Sequence, residues 1–302
     1  MRKASIDIGT NSVLLLVAEV DGKDLNVLKE LQEVPRLGKG VDKNKNLHPD
    51  SQKRVTAVLK KYQDFLNGNF PETTAETTLT ATSAARDAAN KDQFLRFVKN
   101  ETGWGVRLLS GREEAETTYR GALTVLKGRD QSNNVILDIG GGSTEVAFGS
   151  GYKLADGFSA DMGSVRFTER FLGEDLPAET SQKKLRKAVQ ELLGEKSIPY
   201  SNFDVIGVAG TVTSIAAIHK NLSDYKADKL NGICLSRDVI REFIQEFTIL
   251  SADEIERKYP IFLKGRGDVI LTGLLILDEF LMWVGKEEIV VSTGGIRHGV
   301  LV

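Results

Sequence analysis

A single cysteine, Cys234, excludes an intramolecular disulfide, and three scattered histidines, His48, His219 and His298, form neither an HExxH motif nor a cysteine/histidine zinc set. A thiol- or histidine-ligated transition metal is therefore not expected. No run approaches the ~18 apolar residues of a membrane span, and the Met1–Ser5 start lacks the basic, apolar and small-residue order of a signal peptide. The expectation is a cytoplasmic protein with no membrane partner. Net charge is also scarce: 40 Lys and Arg against 42 Asp and Glu give −2, so the chain has no basic field of the kind that draws in nucleic acid. No nucleic-acid partner is expected, and any polyanion must be met locally. The Walker loop, GxGxxG and GxSxG are all missing, which removes the P-loop, Rossmann and serine-hydrolase readings.

What is present is an ordinary globular composition, 41% apolar and 27% charged over 302 residues, long enough for two domains. Three apolar runs, Ala4–Ile8, Val13–Val20 and a third after the Asp21-Gly22 turn, read as a strand meander. Val55, Val58, Leu59, Tyr62, Phe65 and Leu66 carry the three-four spacing of an amphipathic helix. Strands at Thr77–Thr82 and Val106–Leu109 alternate with helices at Ala84–Ala89, Gln93–Val98 and Arg112–Leu126, which indicates an α/β class. The polar segment Gly128–Asn134 marks the boundary, giving domains 1–127 and 128–302 with the last helix free to pack back on the first domain. The second half opens in the same way, with a strand from Val135 to Ile139, a turn, a strand to Phe148, a Gly149-Ser150-Gly151 turn and another strand. Helices follow near Val165–Phe171 and Leu185–Leu193, then a strand Asp204–Val208 and a helix from about Thr213.

The two halves share a motif. Asp7-Ile8-Gly9-Thr10-Asn11-Ser12 and Asp138-Ile139-Gly140-Gly141-Gly142-Ser143 both read D-I-G-x-x-S after an apolar strand, which favours two related domains facing each other across a cleft. Small residues in such a turn aim backbone N–H groups and hydroxyls at one point and let a phosphate oxygen approach. Either turn alone reads equally as a plain β-turn; the pair favours phosphate. A third glycine segment, Gly207–Thr213 with Gly210 and Thr211, lies between strand and helix, where it suits an anion or simply tight packing.

Asp138 and Glu145 share one strand–turn–strand unit and could both reach a Mg²⁺ or Mn²⁺ ion that bridges phosphate oxygens, with Asp7 opposite. Strand alternation alone would instead put Glu145 on the solvent side. Glu113 and Glu114 begin a helix; adjacent helical residues diverge by about 100°, so one can serve as general base while the other stabilises the helix dipole. Arg86 can pair with phosphate or with Asp87 or Glu114, and Arg266-Gly267-Asp268 reads as a helix start with Arg266 a candidate substrate contact.

Taken in order, these segments resemble the exopolyphosphatase / guanosine pentaphosphate phosphohydrolase (Ppx/GppA) family of the actin-like, sugar-kinase and heat-shock ATPase superfamily. The resemblance rests on Asp7–Ser12, Ala81-Thr82-Ser83-Ala84-Ala85-Arg86-Asp87-Ala88, Ser110-Gly111-Arg112-Glu113-Glu114-Ala115 and the Val135–Glu145 stretch ending D-I-G-G-G-S-T-E. It implies two actin-like, ribonuclease H-like domains with an interdomain cleft, and hydrolysis of a terminal phosphoanhydride of inorganic polyphosphate or pppGpp. By the same resemblance Glu114 activates water and Asp138 and Glu145 hold Mg²⁺. Phosphates are bound by Asp7, Thr10, Asn11, Ser12, Arg86, Gly141, Gly142, Ser143 and Thr144, joined by Gly210 and Thr211. A homodimer follows from the resemblance only. His298 stands where the family's C-terminal G-[LI]-R-E-G has Glu, and Gly267 where Ala is commoner. A chain ending at Val302 is expected to lack the helical extensions of longer members and the channel they would give long polyphosphate. Two other functions share the turns: a superfamily small-molecule kinase, and a non-hydrolytic sensor of a guanosine alarmone.

Overall fold

The computed structural model describes residues 1–129, 132–173 and 176–302. Asp130 and Gln131, within the polar segment read as the boundary, lie outside the described residues. The chain divides into two compact units, Met1–Thr124 with Gly294–Val302, and Val125–Thr293.

In the first unit β1 (Arg2–Ile8), β2 (Val13–Asp21) and β3 (Asp24–Glu33) form an antiparallel meander. β4 (Thr78–Ala81) runs parallel to β1 and β5 (Val106–Leu108) parallel to β4, so the sheet order is β3-β2-β1-β4-β5. The run Val13–Val17 is apolar at consecutive positions because the middle of this sheet is covered on both faces. Helix α1 (Pro49–Asn69) starts with proline in its first turn and His48 accepting from the Asp50 N–H. Val55, Leu59, Tyr62 and Leu66 of α1 are fully buried, one stripe of the helix against the core of Ile6, Ile8 and Leu15. Helices α2 (Ser83–Asp87), α3 (Lys91–Thr102) and α4 (Gly111–Thr124) complete the layer.

The C-terminal helix Ile296–Gly299 packs backbone to backbone on α4. A Cβ at Gly121 would fall 2.0 Å from the Gly295 carbonyl oxygen, and one at Gly299 1.9 Å from that of Thr117. His298 of this helix is buried, and among the described residues its Nδ1 has no hydrogen-bond partner. Burial, then the neighbouring Arg297 charge, pushes its pKa well below the ordinary 6.5. The unfolded chain takes up a proton near pH 6.5 that the native state refuses, so stability falls as pH drops below that value and goes on falling to the native pKa. Urea melts between pH 7 and 5 should therefore show a smaller loss of stability for His298→Gln than for wild type. Equal slopes would contradict this.

The second unit repeats the first sheet. β6 (Asn133–Ile139), β7 (Thr144–Ser150) and β8 (Lys153–Ala160) are antiparallel. β9 (Asp204–Val208) is parallel to β6. β10 (Cys234–Ser236) adds an antiparallel edge to β11 (Glu288–Val291), giving β10-β11-β9-β6-β7-β8. β6 to β9 and β11 thus reproduce β1 to β5 strand for strand.

Helix α5 (Ser164–Phe167) runs into a π-helical turn, Thr168–Leu172, and is followed by α6 (Glu179–Gly194), α7 (Ala209–His219), α8 (Arg237–Thr248) and α9 (Ile270–Val284). Several boundaries differ from the sequence reading: α6 starts at Glu179 rather than near Leu185, and α3 runs from Lys91 to Thr102 rather than from Gln93 to Val98. β7 continues through Ser150, which moves the turn to Gly151 and Tyr152, where Gly151 supplies a φ of 54°. Helix α7 starts at Ala209 rather than Thr213, because Ala209 takes a left-handed φ of 63° and reverses the chain within one residue. The apolar α9 carries two buried carboxylates: Arg186 bonds both Asp278 and Glu279, and Arg237 bonds Asp278 at 2.7 Å.

Candidate active site

Both D-I-G-x-x-S segments close in the same way. Gly9 N–H donates to the Ser12 carbonyl at 2.9 Å, and Gly140 N–H to that of Ser143 at 3.0 Å. In the second turn the carbonyls are held from one side. Gly140 O accepts from Ser164 N–H at 2.9 Å, Gly141 O from Val165 and Arg166 N–H at 2.9 and 3.0 Å, and Gly142 O from Arg166 Nε at 2.5 Å. Within a planar trans peptide the carbonyl and the following N–H point in opposite directions. The N–H groups of Gly141, Gly142 and Ser143 therefore aim away from α5, and among the described residues none of the three has an acceptor. Three successive amides on one side make a concavity of the kind that suits an anion.

The first turn is built likewise. Thr10 O accepts from Gly38 N–H at 2.8 Å and Asn11 O from Arg36 N–H at 3.0 Å, which turns the Asn11 and Ser12 amides away from that loop. A Cβ at Gly38 would fall 2.2 Å from Thr10 Cγ2. The segment Arg36–Gly38 escaped the sequence reading; its only signal was a glycine in a polar stretch. Thr144, expected on phosphate, spends its hydroxyl on the Met162 carbonyl at 2.5 Å.

Asp138 and Glu145 are direct cross-strand partners in the β6–β7 ladder, 8% and 2% exposed. The solvent-side alternative for Glu145 is thus overturned, since this face of the strand is covered; Ser159 Oγ donates to Glu145 Oε1 at 2.7 Å. Directly opposed strand positions place their Cβ atoms about 5 Å apart, so two carboxylates there repel unless a positive charge or a proton intervenes. Among the described residues no three His, Cys, Asp or Glu side chains gather as a metal cage. A carboxylate pair that leaves its remaining positions to water and phosphate oxygens is the donor set Mg²⁺ accepts, so these residues fit the ion. Asp7, equivalent to Asp138, faces Leu14 across its own ladder, with Thr80 Oγ1 3.5 Å from its Oδ1. The first turn therefore carries one carboxylate where the second carries two.

The two glutamates at the start of α4 part company. Glu113 accepts from Ser110 N–H at 2.9 Å and Oγ at 2.8 Å while its own N–H reaches back to Ser110 Oγ, a capping box. These bonds, with one from Arg107, push its carboxyl down to about 2. With the helix start fixed, Glu114 turns inward at 5% exposure and receives Arg86 Nη1 at 2.7 Å. The same Nη1 donates to Leu109 O at 3.2 Å, and Arg86 Nε lies 3.8 Å from Asp87. Arg86 thus orients the Glu114 carboxylate.

The third glycine segment is closely packed at the start of α7. A Cβ at Gly210 would fall 1.5 Å from Arg266 Nη1, so glycine is what lets the guanidinium lie on the helix start. Thr211 abuts Gly273 of α9, whose Cβ would meet the threonine hydroxyl at 2.4 Å. Arg266–Asp268 precede α9, which begins at Ile270, so they lie in the approach to the helix rather than at its start. At Gly267 a Cβ would come 2.2 Å from the Ala252 carbonyl, so this packing has no room for alanine.

A sheet of three antiparallel and two parallel strands, present twice and each time followed from its first strand into a glycine turn, defines an actin-like α/β protein. The match to known proteins narrows the class. The chain belongs to the Ppx/GppA phosphatase family, whose model covers residues 16–302, and it is a phosphatase of that family. It is 30% identical to Exopolyphosphatase 2 of Mycobacterium tuberculosis over 99% of this chain and 97% of that protein. It is 34% identical to the bifunctional 3-dehydroquinate synthase/phosphatase of Fusobacterium nucleatum over 99% of this chain, which spans 46% of that longer protein. The crystal structure of the Aquifex aeolicus Ppx/GppA family member superimposes with a TM-score of 0.81 at 31% identity, covering 100% of this chain and 96% of that one. Among the described residues no helix is long and apolar enough to cross a membrane.

Proposed function

We propose that the protein is an exopolyphosphatase that releases orthophosphate from the end of inorganic polyphosphate, with the 5′ terminus of pppGpp as a chemically equivalent second substrate. The observation that carries this is the Glu114–Arg86 pair: a buried carboxylate aimed by a guanidinium at 2.7 Å, in a family of phosphatases. Phosphoryl transfer to water passes through a loose transition state that asks for positioning more than for a strong base. A carboxylate paired with arginine is a weak base, and it suits the task of holding the attacking water in line and taking its proton late. The amides of Gly141, Gly142 and Ser143 would meet the charge on phosphate oxygens without rearrangement. Asp138 and Glu145 would hold Mg²⁺ or Mn²⁺, which supplies charge neutralisation to bridging phosphate oxygens. The relatives named exopolyphosphatase favour polyphosphate over the alarmone.

The test is orthophosphate release from short polyphosphate, long polyphosphate, pppGpp and ATP, with Mg²⁺ and with chelator. Release is expected only with metal, and fastest from polyphosphate. A lead for pppGpp would make the alarmone the substrate. Tight pppGpp binding without turnover would favour the sensor, and phosphorylation of an acceptor from ATP without free orthophosphate would favour the kinase.

A further inference from the structure

We infer that Arg166 is a positioning residue whose Nε–H holds the Gly142–Ser143 peptide so that the Ser143 amide points at a bound phosphate; this rests on the reading that the second glycine turn binds substrate. Gly141 and Gly142 have no Cβ to restrict their backbone, so the peptides between them can rotate, and a flipped peptide would present a carbonyl oxygen to the anion. α5 prevents this by occupying the Gly140, Gly141 and Gly142 carbonyls. The Gly140 and Gly141 carbonyls are held by backbone N–H groups of Ser164, Val165 and Arg166, which survive any side-chain replacement. The Gly142 carbonyl is different, since its bond comes from the Arg166 side chain, Nε at 2.5 Å.

The surroundings fix that side chain. Arg166 is 8% exposed, and its Nη2 lies 3.8 Å from Asp161. A Cβ at Gly163 would fall 2.4 Å from Gly141 O, so α5 approaches the turn as closely as backbone allows. Thr168, at the start of the π-helical turn, anchors the other end through Ser164 O at 2.7 Å and the Thr272 hydroxyl at 2.6 Å. The arrangement joins residues 24 positions apart in the chain.

Two substitutions separate hydrogen bonding from charge. Arg166→Gln keeps an N–H donor at the position of Nε and loses the charge; Arg166→Lys keeps the charge and puts a methylene there. Both would be compared with wild type for kcat/KM on short polyphosphate, for tripolyphosphate affinity in the Glu114→Gln background, and for Tm. Arg166→Lys should lose about 10- to 100-fold in kcat/KM and in affinity, the worth of one charge-assisted hydrogen bond, while Arg166→Gln stays within about threefold. A lysine variant equal to wild type, or a glutamine variant as impaired as lysine at unchanged Tm, overturns the inference. As a check that needs no change at Arg166, tripolyphosphate should shift the amide resonances of Gly141, Gly142 and Ser143 in Glu114→Gln protein. Binding that leaves all three unmoved also overturns it. A wild type that neither releases orthophosphate nor binds tripolyphosphate refutes the functional reading itself, and this inference with it.

Discussion

Glu114→Gln should lower kcat for orthophosphate release by about 10²- to 10⁴-fold, the range for removing a positioned general base. Glutamine has the same size and can still accept from Arg86 Nη1, so α4 and its capping box at Ser110 and Glu113 are kept. What is lost is the negative charge that orders the water and receives its proton, an interaction made in the transition state. KM should change little, because kcat and kcat/KM then fall together. If Glu114 served only as a structural counter-ion for Arg86, the same substitution would lower Tm and leave kcat in place. Steady-state kinetics with a melting curve on the same preparation separates the two.

Asp138→Asn should raise the Mg²⁺ concentration needed for half-maximal rate by about 100-fold or more, at the top of or beyond the range for altering a metal site's supporting residues. The argument is the β6–β7 ladder: Asp138 and Glu145 are opposed and buried, so removing one of the two carboxylate charges should weaken the ion's hold directly. A bound ion stabilises the native state by mass action, so wild type should melt at higher temperature with Mg²⁺ and the variant should not respond. Asp7→Asn is the internal control. Asp7 faces Leu14 rather than a second carboxylate, and the Mg²⁺ response of Tm should survive its replacement. A normal Mg²⁺ optimum in Asp138→Asn would remove that residue from the metal site.

Much of this was legible in the sequence, because local patterns carried it. The Lys3–Val34 meander announces itself through continuous apolar runs, and the repeated D-I-G-x-x-S marks the ends of β1 and β6, which occupy the same place in two sheets of one topology. The sequence leaves Glu113 and Glu114 open except through the family resemblance, and the Ser110–Glu113 capping box is what turns Glu114 inward. Other features depend on segments distant in sequence. Arg166 and the Arg36–Gly38 loop hold the carbonyls of the two turns, yet neither carries a motif that says so. Glu145 was ambiguous because alternation cannot tell a solvated strand face from a covered one. Helix α9 gave no amphipathic stripe, since Ile270–Leu281 is buried on all sides. The start of α7 was misjudged because a left-handed alanine makes a turn that composition does not forecast.

The central claim, hydrolysis at the chain end by water, is tested most directly by following polyphosphate of defined length with wild-type protein and Mg²⁺ by ³¹P NMR. The orthophosphate signal should grow as the inner-phosphate signal shrinks, while the end-group signal stays constant until chains are consumed. End groups that multiply without orthophosphate would show internal cleavage, and an unchanged spectrum would show no hydrolysis; either would contradict the account.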